Sequence, residues 1–452
     1  MFDDVATVSA PVLRWWLLLL ASPIDAGAPD AELIDDIALL ERVKGACAAR
    51  QARLAVAIDT SQRAEQVAQG VPTRWVGRGV AEQVALARRE SPSRGSRHLG
   101  MAKALVHEMP NTLAALTAGE VSEWTATLVV KETASLSADD RRAVDAELAG
   151  RLGSLGPGRA RREAWAAACR LDPASAVARC RKAVEERGVS VRPAPDAMTY
   201  LTALLPVRDG VAVYAALDAA AGTARAAGDP RGRGQVMADT LADRHLTSAG
   251  VATGPQGQRA ESGPDRTAVE VHLVITDDTL LRGGNHPALL TSDPAGSNCA
   301  ADLIPAPMAR DVVRHAATVW VRRLYTAPGT GQLVAMESTR RVFNGNLRAM
   351  LVLRDQTCRT PWCEAPIRHG DHVHPDAAGG PTSLENGQGL CERCNHTKSL
   401  PRWRATVIPD DSTNRAHGTG PPGRHTVRTT TPTGHTYDST APPLLDAGAL
   451  AS

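Results

Sequence analysis

The sequence predicts a multidomain chain: a mainly α N-terminal region with a small α+β part, then a compact C-terminal module stapled through cysteines. Three observations predict it. Apolar residues recur at helical spacing up to about residue 185, short β-rich runs begin near Val189, and four of the eight cysteines fall between Cys358 and Cys394.

Length and composition bound the reading. For 452 residues, roughly two to four domains are the prior expectation. The hydrophobic fraction of 43% is enough for real cores, and with two Phe and four Tyr those cores are built mainly from Ala, Leu and Val. A formal net charge of +2 is too near zero to imply a partner. Its distribution says more: residues 340–404 hold ten Lys/Arg and six Asp/Glu. A modest basic bias therefore surrounds the cysteines, where a polyanion is welcome.

Residues 1–185 read as a helical domain. Ile34, Ile37, Leu40 and Val43 recur at three- and four-residue spacing, as one buried helix face requires. Ser137 followed by Asp139 and Asp140 is a helix start with a cap and an acidic first turn. Asp35-Asp36 and Asp139-Asp140 read as solvated helix starts. Breaks fall at Gly70-Val71-Pro72, Ser91-Pro92-Ser93 and Gly153–Gly158. The run Trp15–Ala21 falls short of the about 20 apolar residues that span a bilayer. It also lacks the basic leader of a signal peptide, because Asp3 and Asp4 precede it and only Arg14 is positive. It reads as a buried first helix, with no membrane partner. Cys47, Cys169, Cys180 and Cys299 are scattered and read as buried, inert thiols. A thiolate–metal site fits a reducing cytosol, so the expected compartment is cytoplasmic.

Residues 186–339 read as an α+β continuation of the same domain. Met198–Leu205 and Val269–Ile275 have the β-branched and aromatic content of strands, with a helix around Val213–Ala226 between them. Residues 249–266 read as an exposed loop or linker. Residues 409–452, rich in Pro, Thr and Gly, read as an extended or disordered tail.

Residues 340–408 form the informative module. Cys358-Arg-Thr-Pro-Trp-Cys363 is a knuckle in which Pro361 stiffens the turn that brings two sulfurs together. Cys391 and Cys394 are three apart, a spacing that puts both on one face of a helix start, where the positive end of the dipole favours thiolates. Two such pairs suit a tetrahedral zinc site, and a module of about 50 residues has a core small enough to need one. Between the pairs lie Asp371-His372-Val373-His374, a loop with Gly379 and Gly380, and Asn386; Asn395 and Lys398 follow Cys394. The expected layout is strand, loop, strand, helix.

The pattern Cys358…Cys363…Asp371-His372…Gly379-Gly380…Asn386…Cys391-x-x-Cys394-Asn395…Lys398 resembles the HNH endonucleases, the ββα-metal nucleases, in their zinc-stapled form. Upstream, Asp229-Pro-Arg-Gly-Arg…Ala238-Asp239, Val269–Ile275 and Arg354-Asp355-x-x-Cys358 resemble the domain of unknown function 222 found before such modules in high-GC bacteria. That domain carries no established activity.

The resemblance implies a metal-dependent DNA endonuclease with a structural Zn²⁺ on the four cysteines. Asp371 and Asn395 correspond to ligands of a catalytic Mg²⁺ or Mn²⁺, His372 to the general base, and Asn386 to the asparagine that holds the loop. His374 is a third metal ligand or a phosphate contact. His396 is the alternative ligand to Asn395, because the namesake pattern has histidine at its third position. Lys398, Arg402 and Arg404 are expected at the DNA phosphate backbone. Four residues rather than two separate the first cysteine pair, which loosens the knuckle without preventing zinc binding. The competing reading is a catalytically inactive, zinc-dependent nucleic-acid-binding protein, and an RNase is the third. Surface or loop roles are the default for His369, whereas Arg340, Arg341 and Arg348 fit a solvated helix face as well as a DNA contact. Double-strand cleavage by a single-site nuclease would favour a homodimer.

Overall fold

Small side chains let the N-terminal helices approach closely. In chain order the helices are α1 (Ala10–Leu20), α2 (Asp30–Ala68), α3 (Val80–Arg88), α4 (Pro92–His107), α5 (Pro110–Thr117), α6 (Glu123–Glu132), α7 (Ala138–Leu148), α8 (Pro157–Leu171) and α9 (Pro173–Glu185). The computed structural model describes residues 9–24, 27–194, 198–248, 272–291, 301–316, 324–326, 333–336, 346–408 and 424–444. The chain divides into two compact units, residues 1–56 with 101–172 and residues 57–100 with 173–452.

In the first unit, Ala48, Ala49 and Ala52 of α2 are buried, as are Ala160, Ala164, Ala167 and Ala168 along one face of α8. Gly45 has no side chain for a reason: a Cβ there would lie 3.0 Å from the Val121 carbonyl oxygen and 3.1 Å from that of Leu116. Helix starts are capped as their sequences dictate. Ser122 Oγ accepts from the Thr125 amide and Ser137 Oγ from the Asp140 amide, each at 3.1 Å. α5 opens on Pro110 and borrows its acceptor from α7. The buried Asp145 carboxylate accepts from the Asn111 amide at 2.7 Å, the Thr112 amide at 2.8 Å and the Thr112 hydroxyl at 2.6 Å.

Three expectations about this region need correction. α1 is helical but exposed throughout, with Leu17 at 68% and Leu18 at 71%. Ile34, Ile37 and Leu40 are exposed too, because the buried face of α2 is the small-residue stripe that begins at Gly45. Cys47 and Cys180 are exposed and Cys169 is half-buried, whereas Cys299 lies outside the described residues.

In the second unit the chain turns to short antiparallel sheets. β1 (Gly188–Ala194) pairs with β2 (Met198–Leu204), followed by α10 (Val207–Ala226) and α11 (Arg233–Ser248). The Asp229–Arg231 motif forms the turn between these helices. Arg231 pairs with Asp229 at 2.6 Å and with Asp239 at 2.5 Å, and its hydrogen bonds hold the Asp229 carboxyl at about 2. β3 (His272–Val274), β4 (Ala288–Thr291) and β5 (Ala301–Ile304) form one sheet, and α12 (Ala306–His315) adds Ala309 to a core with Ala288 and Ile304. β6 (Leu324–Thr326) and β7 (Leu333–Met336) pair, and α13 (Asn346–Asp355) leads into the cysteine module. The expected linker at 249–266 and Arg340 and Arg341 lie outside the described residues.

The module itself holds β8 (His369–His372), β9 (Gly387–Leu390) and α14 (Glu392–Lys398), in the order expected. It does not stop at residue 408. β10 (Arg404–Ile408) pairs with β11 (Thr426–Thr430), which pairs with β12 (Thr436–Thr440). Residues 424–444, expected as tail, thus form two strands and a closing segment whose Leu444 is buried with Val274 and Leu289. Threonine suits a half-buried pleated surface even where the composition looks disordered. Among the described residues, no helix is long and apolar enough to cross a membrane.

Replacing Asp145 by Ala leaves two amides and a hydroxyl without their buried acceptor. The expected cost is about 2–4 kcal/mol, read as a lower urea midpoint of the helical unit with faster exchange at the Thr112 amide. An unchanged midpoint would mean that the carboxylate is dispensable.

Candidate functional site

The end of α13 sets the frame. Arg354 and Asp355 are buried side by side, and the Arg354 Nε donates to Asp355 Oδ1 at 2.7 Å. The remaining guanidinium donors reach the carbonyls of Leu384 at 2.6 Å and Gly387 at 2.8 Å. Asp355 Oδ2 accepts from the Gly389 amide at 2.7 Å. One ion pair therefore ties α13 to β9. A third buried charge, Arg359, lies in the knuckle and donates to the carbonyls of His425, at 3.0 Å, and Ser439. Burial pushes its guanidinium down from the ordinary range, and the Asp355 carboxylate opposes that shift.

The four cysteines converge. Their sulfurs lie within 4.8 Å of one another. Cys363 Sγ is 3.7 Å from Cys391 Sγ and 3.6 Å from Cys394 Sγ. A tetrahedral zinc with bonds near 2.3 Å separates its sulfurs by about 3.8 Å, so the group fits that ion. A disulfide, near 2.05 Å, does not fit. The knuckle closes through left-handed residues, Trp362 at φ 59 and Glu364 at φ 49. Cys391 caps α14, and its sulfur accepts from the Cys394 amide at 3.4 Å. Donation from the Cys358, Cys363 and Cys394 thiols, with this amide, holds the Cys391 thiol well below its ordinary range. A thiol that ionises readily suits a metal ligand.

The acid and the histidine stand at the end of β8. Its register with β9 sets Asp371 opposite Gln388, whose amide donates to Asp371 Oδ2 at 3.2 Å. Lys398 Nζ, at the end of α14, donates to the same carboxylate oxygen and to the His372 carbonyl. Asn395 is three residues before Lys398, a spacing that makes the two neighbours on the surface of α14. His396 is exposed. The His372 ring meets the Thr382 hydroxyl, Nε2 to Oγ1, at 2.8 Å.

Asn386 pins the intervening loop. Its Oδ1 accepts from the His374 amide at 2.8 Å, and its Nδ2 donates to the carbonyls of His374 at 3.0 Å and Pro381 at 2.8 Å. The turn works only with glycines: Gly379 sits at φ +88, and a Cβ on Gly380 would lie 2.0 Å from the His374 oxygen.

The structure thus brings together Asp371, His372, Asn386 and Lys398, with Asn395 on the facing helix. The expected basic residues Lys398 and Arg402 already have protein partners, and Lys398 pairs with Asp371. Arg402 pairs with Glu65 and donates to the Pro432 carbonyl at 2.8 Å, while Arg404 is exposed on β10. Arg348 donates to the Arg368 carbonyl at 2.9 Å. Thr382 and Gln388 were missed, and their only sequence signal is position. Thr382 follows the Gly-Gly-Pro turn, and Gln388 faces Asp371 across the hairpin.

Comparison with known proteins agrees with this geometry. Residues 41–355 match the family described as Domain of unknown function (DUF222), and residues 356–399 match the HNH endonuclease domain. The chain is 27% identical to the Uncharacterized protein Rv3776 of Mycobacterium tuberculosis over 234 residues, 46% of this chain and 40% of that protein. It is 29% identical to the Uncharacterized protein Rv2100 of the same organism over 154 residues, 32% of this chain and 24% of that protein. The chain thus spans well under half the length of these relatives. No solved structure matches it.

Elemental analysis of freshly purified protein is expected to find about one zinc per chain, as a closed four-thiolate site holds one ion. Cys394→Ser should lower zinc content and leave the remaining thiols open to a thiol reagent. Protein without zinc, or a serine variant that keeps all of it, would remove the four-cysteine staple.

Proposed function

We propose, for a chain that belongs to the domain of unknown function 222 family and continues into an HNH endonuclease domain, metal-dependent hydrolysis of DNA phosphodiester bonds. One observation carries the reading. A cationic ammonium sits against both the Asp371 carboxylate and the His372 carbonyl, beside a histidine ring held by Thr382. Positive charge is thus demanded at the edge where β8 faces α14. Asp371 and the amide oxygen of Asn395 are hard donors that fit Mg²⁺ or Mn²⁺. Such an ion would supply neutralisation of the charge that develops on the phosphate and on the leaving 3′-oxygen.

The chain's own residues do the rest. His372 takes the proton from the attacking water, a task suited to an imidazole near neutral pH. The Thr382 hydroxyl fixes the ring's orientation. Asn386 positions Thr382 in turn by holding the Pro381 carbonyl one residue earlier. His374 lies in the pinned loop as a third ligand or a phosphate contact, and His396 is the alternative to Asn395. Lys398 contributes positive potential at the same edge, and Arg404 at the start of β10, with Arg402 in the turn before it, extends it toward the DNA backbone.

One observation favours a second reading. Lys398 and Gln388 both already engage the Asp371 carboxylate through Oδ2, as a nucleic-acid-binding module without catalysis would allow.

Plasmid nicking by the full chain in Mg²⁺ or Mn²⁺ separates the two. His372→Ala should slow nicking about 10²- to 10⁴-fold and leave zinc content and DNA binding unchanged. Wild-type protein that does not nick, or an alanine variant that nicks equally well, would establish the binding-only reading. Preference for single-stranded RNA in the same assay would mark an RNase.

Thr382→Val should lower kcat more than KM, and Thr382→Ser should recover most of the loss. An equal loss with Ser would argue against a hydroxyl role.

A further inference from the structure

Residues 57–100, far from the HNH segment in sequence, pack directly against it. The contact centres on Arg393, which lies between the two cysteines of α14. Its Nε and Nη2 donate to Glu82 Oε1 at 2.8 and 2.6 Å, and Nη2 also reaches the Ser96 hydroxyl. Glu82 belongs to α3 and Ser96 to α4. Glu82 is only 12% exposed, so this ion pair is better shielded than the pair between Arg402 and Glu65, whose partners are each about half exposed. The fit extends to shape. Gly79 precedes α3 at φ +85, and a Cβ there would lie 2.9 Å from the Trp403 indole nitrogen and 3.2 Å from Leu400. Trp403 is buried, and Leu86 of α3 shares a cavity wall with Trp403 and Leu390.

We infer that α3 and the first turns of α4 are a built-in seat for α14, and that Arg393 is a positioning residue. Charge and hydrogen bonding converge on the helix that carries Cys394, Asn395 and Lys398, and close packing on the turn that follows it. The seat holds that helix from α3 and α4 while Lys398 ties it to β8, and the two together constrain the distance from Asn395 to Asp371. The smallest portion of the chain with an intact site then includes residues 57–100 as well as the cysteine module. The catalytic part of this inference rests on the nuclease reading above; the docking part does not.

The test is a charge-swap cycle in the full chain: Glu82→Arg, Arg393→Glu and the double variant. Each single variant should speed amide exchange along α14 about tenfold or more, because a seated helix opens less often than a free one. Each should also hasten zinc loss to a chelator, and lower kcat for nicking while KM holds. The double variant should restore exchange and zinc retention to within about threefold of wild type, since only a direct pair is rescued by reversal. Single variants that exchange like wild type, or a double variant no better than the worse single, would overturn the seat. If Arg393 instead touches DNA, Arg393→Glu raises KM and the swap does not rescue it, which also overturns the assignment. Should the wild type not nick at all, the nuclease reading fails while the exchange and chelator results still decide the docking.

Discussion

The buried pair of Arg354 and Asp355 is the constraint on which the cysteine module rests. Two charges removed from water are costly unless their polar atoms are engaged, and here all three guanidinium nitrogens and both carboxylate oxygens are. The guanidinium serves two carbonyls on the return from the loop, and the carboxylate accepts an amide of β9. The pair therefore acts as a template rather than as a simple attraction. It specifies where α13 ends, where β9 runs, and hence where the strand opposite Asp371 lies. Replacing one partner alone would strand the other charge in an apolar interior, a far larger penalty than the pair's net worth.

Much of the site was legible because its chemistry needs rare residues at fixed spacing. Four cysteines in two close pairs, an acid beside a histidine, and Gly379-Gly380 before Asn386 have few other physical uses. The roles of Thr382, Gln388 and Lys398 were not legible in the same way. A threonine in a turn, a glutamine in a strand and a lysine at a helix end are the commonest of residues. Only the register of β8 on β9 and the pitch of α14 give them partners. Lys398 shows the limit most clearly, since nothing in its sequence position points to Asp371, the residue it touches in space.

The fold misreadings share a different cause. Apolar periodicity marks a face that has to be covered in some context, not one covered by the rest of this chain. Ile34, Ile37 and the Trp-Leu run of α1 satisfy the pattern and lie open, while α2 buries glycine and alanine instead. Close backbone approach, as at Gly45, leaves no room for the large residues that pattern reading seeks. At the other end, a composition of threonine, proline and glycine conceals strands whose pairing is set by β10, which precedes the Pro/Thr/Gly-rich stretch.

The buried Arg359 adds a dimension of time. Its acceptors, the carbonyls of His425 and Ser439, lie 66 and 80 residues further along the chain. At about 5–20 residues per second on the ribosome, the guanidinium waits several seconds after its own synthesis before its last partner exists. Until then the knuckle holds a charge that water must solvate, so the cysteines can gather but the interior cannot close. The helices of residues 57–100 have long since emerged by that point. Completion of the module is thereby deferred until residue 439 has been made, and a nascent chain broken off earlier carries the metal ligands without the closed interior that surrounds them.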